Sequence, residues 1–365
     1  MLNTTVTIIG AGVSGLYLSR KLERAGIDFI TVEQNNFVGK YGNRVINKEV
    51  FESLELPEDL IKYPINKINF YSPAEIKLSK SDTEARGYVI NLMDVEKFLF
   101  NSISDKSKIL FGRAVLGVSP ANGIIHTEKG EIKSDLIVFA TGAMQNRLRA
   151  VFGVKSPRIV VCYMAEIVAE DVTTVILDNR TAYGFYGWVM PLGAGRAEIG
   201  FGSEYRGALN LALLRQRMFT LPYLWKFKDS KPIKENVGFI PISIVNKLTG
   251  TNCILIGDAG GGEPAMGGSI HKCIDEADLV IVALTQRRSS ESAGECYNRL
   301  WKDKFTMDFK TQDKMRALID TSNSEDIDNA FKALQGKEIP GTGLINDLFK
   351  NIIHELIKLK ERDSK

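Results

Sequence analysis

Histidine and cysteine are both scarce: 3 and 4 residues in a chain of 365. Cys162, Cys253, Cys273 and Cys296 lack metal-ligand spacing and lie in apolar or helical stretches. They read as reduced, buried thiols of an intracellular protein, and no metal site is expected. No stretch approaches the ~18–20 consecutive apolar residues of a membrane-spanning helix. The N-terminal apolar run is short, has no basic flank and enters a glycine turn at once, so no signal peptide is expected. Net charge is only +3 with the basic residues dispersed, which argues against nucleic acid as a partner. Internal repeats and low-complexity segments are absent. What remains is an ordinary cytoplasmic, globular composition, 44% hydrophobic and 25% charged, long enough for two or three packed subdomains.

Against that background, glycine is placed with purpose. Val6–Ile9 is a short β-branched run suited to a buried parallel strand. Gly10-Ala11-Gly12-Val13-Ser14-Gly15 follows and opens a helical pattern that Gly26 stops. Gly10 allows the tight turn, Gly12 the approach of a pyrophosphate and Gly15 close packing of helix on strand. The free N–H groups around Val13 and Ser14 would meet the phosphates. A second strand, Phe29–Val32, ends in Glu33, placed to accept the ribose hydroxyls of an adenosine. That acid would repel a 2′-phosphate. The fingerprint fits NAD and FAD equally.

Two later signals choose between them. Asp135–Phe139 is a buried strand ending in Ala140-Thr141-Gly142, a strand end that passes under the cofactor in two-dinucleotide-domain flavoproteins. Ile254-Leu255-Ile256 ends in Gly257-Asp258, where a carboxylate is placed for a ribityl hydroxyl. The loop from Gly260 to Gly268 is nearly free of side chains, so its backbone, Gly267 and Gly268 included, can lie against a flat ligand. A helix starting near Ser269 and Ile270 would aim its positive end at the flavin pyrimidine edge. Together these predict FAD in an extended conformation. Arg44, in the polar stretch after Glu33, is a candidate partner for its pyrophosphate.

The predicted architecture is α/β with an α+β second domain. A Rossmann-like, three-layer FAD domain is discontinuous, over 1–62, 94–157 and 251–290. An antiparallel substrate domain takes 63–93 and 158–250, and 291–365 is a helical C-terminal region. Asp94 is the expected N-cap of a helix through Val95, Phe98, Leu99 and Ile103, and a further helix is expected over Ala208–Phe219.

The ordered set of Gly10, Gly12, Gly15, Glu33, Ala140-Thr141-Gly142 and Gly257-Asp258 resembles the p-hydroxybenzoate-hydroxylase-type flavoprotein fold. Within it, Tyr186-Gly187-Trp188-Val189-Met190-Pro191, with Gly200-Phe201-Gly202 after it, resembles the geranylgeranyl reductase family, whose motif is aromatic-x-Trp-x-Phe-Pro followed by Gly-x-Gly. The resemblance runs from Met1 to about Leu284. Met190 replaces the family Phe. The cysteine that relatives often carry near the flavin is missing, with Gly42-Asn43-Arg44 in that region, and Asn91–Asp94 lacks their arginine.

The resemblance implies hydride transfer from reduced flavin to an isoprenoid C=C, with a proton added to the neighbouring carbon. Tyr186, Trp188 and Met190 alternate on one strand face and would form the wall for a hydrocarbon chain. Gly200 and Gly202 would open space beside Pro191 for chain or flavin. Tyr186 and His271 are the candidate proton donors. The electron donor is NAD(P)H or reduced ferredoxin. Monooxygenases or halogenases of the same fold, and prenyl-lipid-binding proteins without catalysis, are the alternatives. The amphipathic stretch Ile345–Ile357 with its basic end at Lys358–Arg362 either docks on the core or touches a membrane surface that supplies lipid.

Overall fold

The computed structural model describes residues 1–204, 210–268, 270–341 and 343–363. Strand Leu2–Ile9 lies between Phe29–Val32 and Gly130–Phe139, parallel to both. Ile109–Leu110 extends the parallel sheet on one side and Cys253–Leu255 on the other. The register decides the function of this sheet. Ile9 pairs with Val32 and with Phe139, and Phe139 pairs with Leu255. The residues that follow these four strand ends, Gly10, Glu33, Ala140 and Ile256-Gly257, therefore emerge along one sheet edge. Ligands bind at that carboxyl edge in open parallel sheets. Val6, Ile8, Val138 and Ile254 are fully buried, as a sheet covered on both faces requires.

Helix α1 (Val13–Arg24) returns along the sheet. Ser19 is buried against the sheet, its hydroxyl bonded to the Gly15 carbonyl and to Thr31 Oγ1, both at 2.7 Å. Gly26 takes a positive φ of 67° just past the helix end. Helix α2 (Leu92–Asn101) begins earlier than the sequence suggested. Its N-cap is Asn91, whose side chain accepts from Met93 N; Asp94 lies in the first turn instead. Either residue type can cap, but only Asn91 has the extended backbone that the cap position needs.

A seven-stranded sheet forms the second body, in the order Lys234–Pro241, Ile159–Val168, Arg196–Ser203, Gly187–Gly193, Thr174–Ile176, Lys67–Tyr71, Lys77–Ser81. All its pairings are antiparallel except that of Thr174–Ile176 with Lys67–Tyr71. Asn43–Asn47 joins neither sheet; it pairs with Gly87–Asn91 in a small three-stranded sheet. Helix α3 (Leu211–Met218) covers one face of the seven-stranded sheet through Leu214 and Met218. The earlier part of the expected 208–219 helix, Ala208 and Leu209, lies outside the described residues.

Four helices close the chain: α4 (Ile270–Thr285), α5 (Ala293–Thr321), α6 (Ser324–Leu334) and α7 (Leu344–Asp363). Reciprocal capping boxes, Ser292 with Glu295 and Asn323 with Asp326, start α5 and α6. The apolar stripe of α7 (Leu344, Leu348, Phe349, Ile352, Ile353, Leu356) is buried against Ile68, Phe70 and Leu78 of the second sheet and against α6. This face docks on the core and is not free to enter a membrane. Among the described residues no helix is long and apolar enough to cross one.

Candidate functional site

A single cavity of about 1290 Å³ runs from the carboxyl edge of the parallel sheet to the C-terminal helices. Typical small-molecule sites occupy about 300–1,000 Å³, so this one has room for a dinucleotide and a second ligand. Gly10, Gly12, Val13, Ser14, Glu33, Ala140, Thr141, Gly142, Asp258, Gly267, Gly268 and Ile270 all line it. Gly15 and Gly257 sit just behind the wall, and Ser269 lies outside the described residues.

These residues fit FAD. The N-cap of α1 is Gly12, which offers no side chain to the first N–H groups, and the first turn holds no acid. Those donors face the cavity as an anion site. Glu33 is fixed by two backbone donors: Ala11 N reaches Oε2 and Asn35 N reaches Oε1, each at 2.9 Å. At Gly142 and Gly268 a β-carbon would meet nothing within 4 Å, so both leave open space.

Three buried cations that the sequence did not flag assemble this edge. Arg149 donates from Nε to the Ala259 carbonyl (2.9 Å) and from Nη2 to that of Ala143 (2.8 Å), tying the loop after Phe139 to the turn after Ile256. Lys272 and Glu276, both fully buried and 2.8 Å apart on α4, grip Gly257. Glu276 Oε2 accepts from Gly257 N at 2.6 Å and Lys272 Nζ donates to its carbonyl at 3.1 Å. Arg316 on α5 donates to the carbonyls of Pro264 (2.6 Å), Ala265 (3.0 Å) and Gly184, fastening the glycine loop to the second sheet. On the sequence each reads as a solvated helix charge, because most of its acceptors are backbone carbonyls outside its own helix.

Glu96 on α2 is a further residue missed by sequence reasoning. It is 6% exposed, accepts from Lys40 N at 2.8 Å, and its Oε1 lies 3.6 Å from where a β-carbon on Gly12 would stand. Burial pushes its carboxyl up to about 7, against the opposing pull of the Lys40 and Gly39 amides. The folded value lies above the ordinary one, so the neutral form persists to near neutrality and is lost as pH rises through about 7. Ionised, Glu96 repels a pyrophosphate at Gly12. FAD affinity should fall roughly tenfold between about pH 6 and pH 8, and Glu96→Gln should flatten that dependence. Fluorescence titration of apoprotein with FAD at the two pH values reads it; a flat wild-type profile contradicts it.

The second sheet supplies the other wall. Tyr186, Trp188 and Met190 all line the cavity. The Tyr186 ring stacks on Phe185 with centroids 4.1 Å apart and meets Trp188 edge-on at 6.1 Å. Its hydroxyl donates to the Met266 carbonyl at 3.0 Å. Pro191, Gly200 and Gly202 stand behind this wall. A β-carbon on Gly200 would lie 2.5 Å from the Trp188 ring, and one on Gly202 would strike the Phe185 ring. The room these glycines leave is filled by the two aromatic rings.

Glu198 lines the cavity beside Trp188, 2% exposed. It accepts from Asn43 Nδ2 at 3.0 Å and Trp188 Nε1 at 3.2 Å. Burial raises its carboxyl, opposed by the Asn43 bond and the charge of Arg44. Arg44, expected at a phosphate, donates to the Asn43 carbonyl at 2.7 Å and directs its charge toward Glu198, Cys162 and Tyr186. His271, at the start of α4, is half-exposed, with Nε2 2.7 Å from Glu263 Oε1. Among the described residues no cluster of three His, Cys, Asp or Glu side chains could hold a metal.

Comparison with known proteins places this geometry. Residues 4–177 match the pyridine nucleotide-disulphide oxidoreductase family. The digeranylgeranylglycerophospholipid reductase 2 of Methanothermobacter thermautotrophicus is 22% identical over 93% of this chain and 94% of its own length. The digeranylgeranylglycerophospholipid reductase of Methanocaldococcus jannaschii is 23% identical over 93% of this chain and 92% of its own. A geranylgeranyl bacteriochlorophyll reductase-like protein from Thermoplasma acidophilum superposes with a TM-score of 0.85 at 19% identity, covering 99% of both chains. Klebsiella pneumoniae HpxO, solved with FAD and uric acid, superposes at 0.72 with 17% identity over 97% of both. The resemblance read from Met1 to about Leu284 thus extends over nearly the whole length, and the chain is an FAD-dependent oxidoreductase similar to the digeranylgeranylglycerophospholipid reductases.

Proposed function

We propose that the protein saturates C=C bonds of geranylgeranyl or similar isoprenoid chains, as found in ether-linked lipids. The observation that carries this reading is the continuity of the cavity. It passes from the dinucleotide turns along Tyr186, Trp188 and Met190 to Met315, Leu344 and Phe349, an apolar and thioether lining of the kind that suits a long flexible hydrocarbon. Bound FAD, when reduced, supplies the hydride. The protein's part is to hold the chain, exclude water and deliver a proton to the carbon beside the one reduced.

Of the two candidate donors, both of which line the cavity, His271 is the one this reading favours. Burial opposes its charged form, but the Glu263 hydrogen bond and charge outweigh this, so its pKa is raised above the ordinary value. It therefore keeps its proton to higher pH than an ordinary imidazole and loses it as pH rises through that raised value. The Tyr186 phenol, pushed up by burial and committed to the Met266 carbonyl, holds its proton tightly. His271→Gln should cut turnover about a hundredfold and abolish the alkaline limb of the kcat profile, while Tyr186→Phe should keep that limb. An unaltered profile in His271→Gln would remove the residue from the reaction.

The activity itself is tested without oxygen. Chemically reduced protein is mixed with a digeranylgeranyl glycerophospholipid. Reoxidation of flavin with one H2 gained per double bond by mass spectrometry is the expected result. No reoxidation until oxygen is admitted, and then an oxygenated product, would favour a monooxygenase, and colourless protein that takes up no FAD would leave only lipid binding. Repeating the reduction with NADH, NADPH or reduced ferredoxin identifies the donor.

A further inference from the structure

Residues 211–234 are built unlike the rest of the surface. They carry Arg215, Arg217, Lys226, Lys228, Lys231 and Lys234 against one acid, Asp229. The chain as a whole is only +3, so everything outside this segment is net negative. Interleaved with these cations are four large apolar side chains, each more than half exposed: Leu211 53%, Leu213 51%, Trp225 55% and Ile233 53%. The core does not need them. Leu214, Met218, Leu221, Leu224 and Phe227 of the same segment already fill the space over Tyr163, Ala165, Ile167 and Phe201.

Most of the charges are not cancelled locally. Arg215 and Arg217 donate to the neutral carbonyls of Ser230 and Thr181. The Lys228 ammonium sits 4.3 Å above the Trp225 ring, and among the described residues only Lys226 of these six meets a carboxylate, Asp171, at 2.8 Å. Exposed Leu, Ile and Trp among lysines and arginines match an anionic bilayer surface. The apolar groups enter the headgroup boundary while the cations gain from acidic lipid. A tryptophan with a cation over its ring suits that boundary, being apolar in body and polar at its N–H.

We infer that the segment Leu211–Lys234 is a membrane-contact surface that seats the protein on anionic lipid. It takes the place of the α7 face, which the fold has buried. An acidic redox partner fits the position less well. The segment covers the face of the seven-stranded sheet carrying Tyr163 and Ala165, whereas Cys162 and Met164 of the same strand line the cavity on the other face. A carrier docked there would have the sheet between itself and the flavin site. The inference rests on the surface alone and stands or falls separately from the reductase reading.

The experiment is sedimentation of the full-length FAD-loaded protein with vesicles of phosphatidylglycerol or of phosphatidylcholine, at low and high salt. Binding to the anionic vesicles alone, weakened by salt, is expected. Of the three tryptophans, Trp188 and Trp301 are largely enclosed, so a blue shift of emission on binding reports Trp225. Lys228→Glu with Lys231→Glu, and separately Leu213→Ser with Trp225→Ser, should each weaken binding at least about tenfold. Unchanged FAD absorbance and thermal midpoint show that these variants remain folded. Wild-type protein that ignores both vesicles, or variants that bind like wild type, would overturn the inference. So would loss, in the charge variants, of association with a reduced ferredoxin while vesicle binding is absent throughout; that result assigns the patch to a protein partner.

Discussion

Lys272→Met and Glu276→Gln should each destabilise the protein by about 3–5 kcal/mol, because each leaves its partner buried and uncompensated. Both side chains are fully buried, 2.8 Å apart, and Trp301 Nε1 donates to Glu276 at 3.0 Å. Their task is local: between them they hold the N–H and the carbonyl of Gly257, the residue before Asp258. Gly257 has a positive φ of 60°, and a β-carbon there would collide with Ser14 Oγ, so the turn sits directly against the start of α1. The double variant Lys272→Met/Glu276→Met removes both charges and should recover much of the lost stability. It should not recover FAD binding, because the Gly257 turn is then released. Urea unfolding and FAD titration of the two singles and the double measure these effects separately. Singles with an unchanged urea midpoint, or a double that binds FAD as tightly as wild type, would show that the pair does not set the turn.

That pair also marks the limit of what the sequence makes legible. The turn Gly10–Gly15, Glu33, Ala140–Gly142 and Gly257-Asp258 are each readable because a strand end is followed at once by a glycine or an acid, and parallel register brings the four ends to one edge. The alternation of Tyr186, Trp188 and Met190 is likewise local, and all three line the cavity. The residues that hold the edge together are not local. Arg149 reaches Ala259 across 110 positions and Arg316 reaches Gly184 across 132. An arginine whose partners are distant carbonyls leaves no pattern, since the sequence records neither the fold-back nor the buried acceptors. Glu96 and Glu198 are hidden for the same reason: carboxylates in a helix and a strand read as solvated until packing desolvates them. Gly200 and Gly202 show the converse case. Their spacing is plain, but what fills the room is decided by the Trp188 and Phe185 rings on neighbouring backbone. The amphipathic α7 could be recognised without its destination, because a buried stripe and a membrane-facing stripe have the same periodicity.

Gly15→Ala should cost the fold itself, at the upper end of overpacking penalties, about 3 kcal/mol or more. The new methyl would be driven onto the Gly10 carbonyl oxygen and to 3.4 Å from the Ala140 β-carbon. Neither neighbour can yield. Gly10 N donates to Val32 O at 2.8 Å and Ala140 N to Ile9 O at 2.9 Å, so both are anchored in the parallel sheet. Helix α1 must lift away instead, taking with it the N–H groups proposed to meet the pyrophosphate. Gly12→Ala provides the contrast. Gly12 has an ordinary φ of −80°, and among the described residues the only atom within 4 Å of a β-carbon there is Glu96 Oε1 at 3.6 Å. The apoprotein should therefore keep its thermal midpoint, while the methyl would enter the space proposed for the cofactor phosphates. A ligand that binds only the folded state stabilises it by RT ln(1 + L/Kd), L being the free ligand concentration, and so raises the midpoint. Wild type should gain from added FAD, Gly12→Ala should gain little from an unchanged baseline, and Gly15→Ala should start lower and gain little. Melting curves of the three apoproteins with and without FAD separate packing from ligand approach at the two glycines. Equal baselines for the two variants would show that Gly15 does not set the contact between helix and sheet.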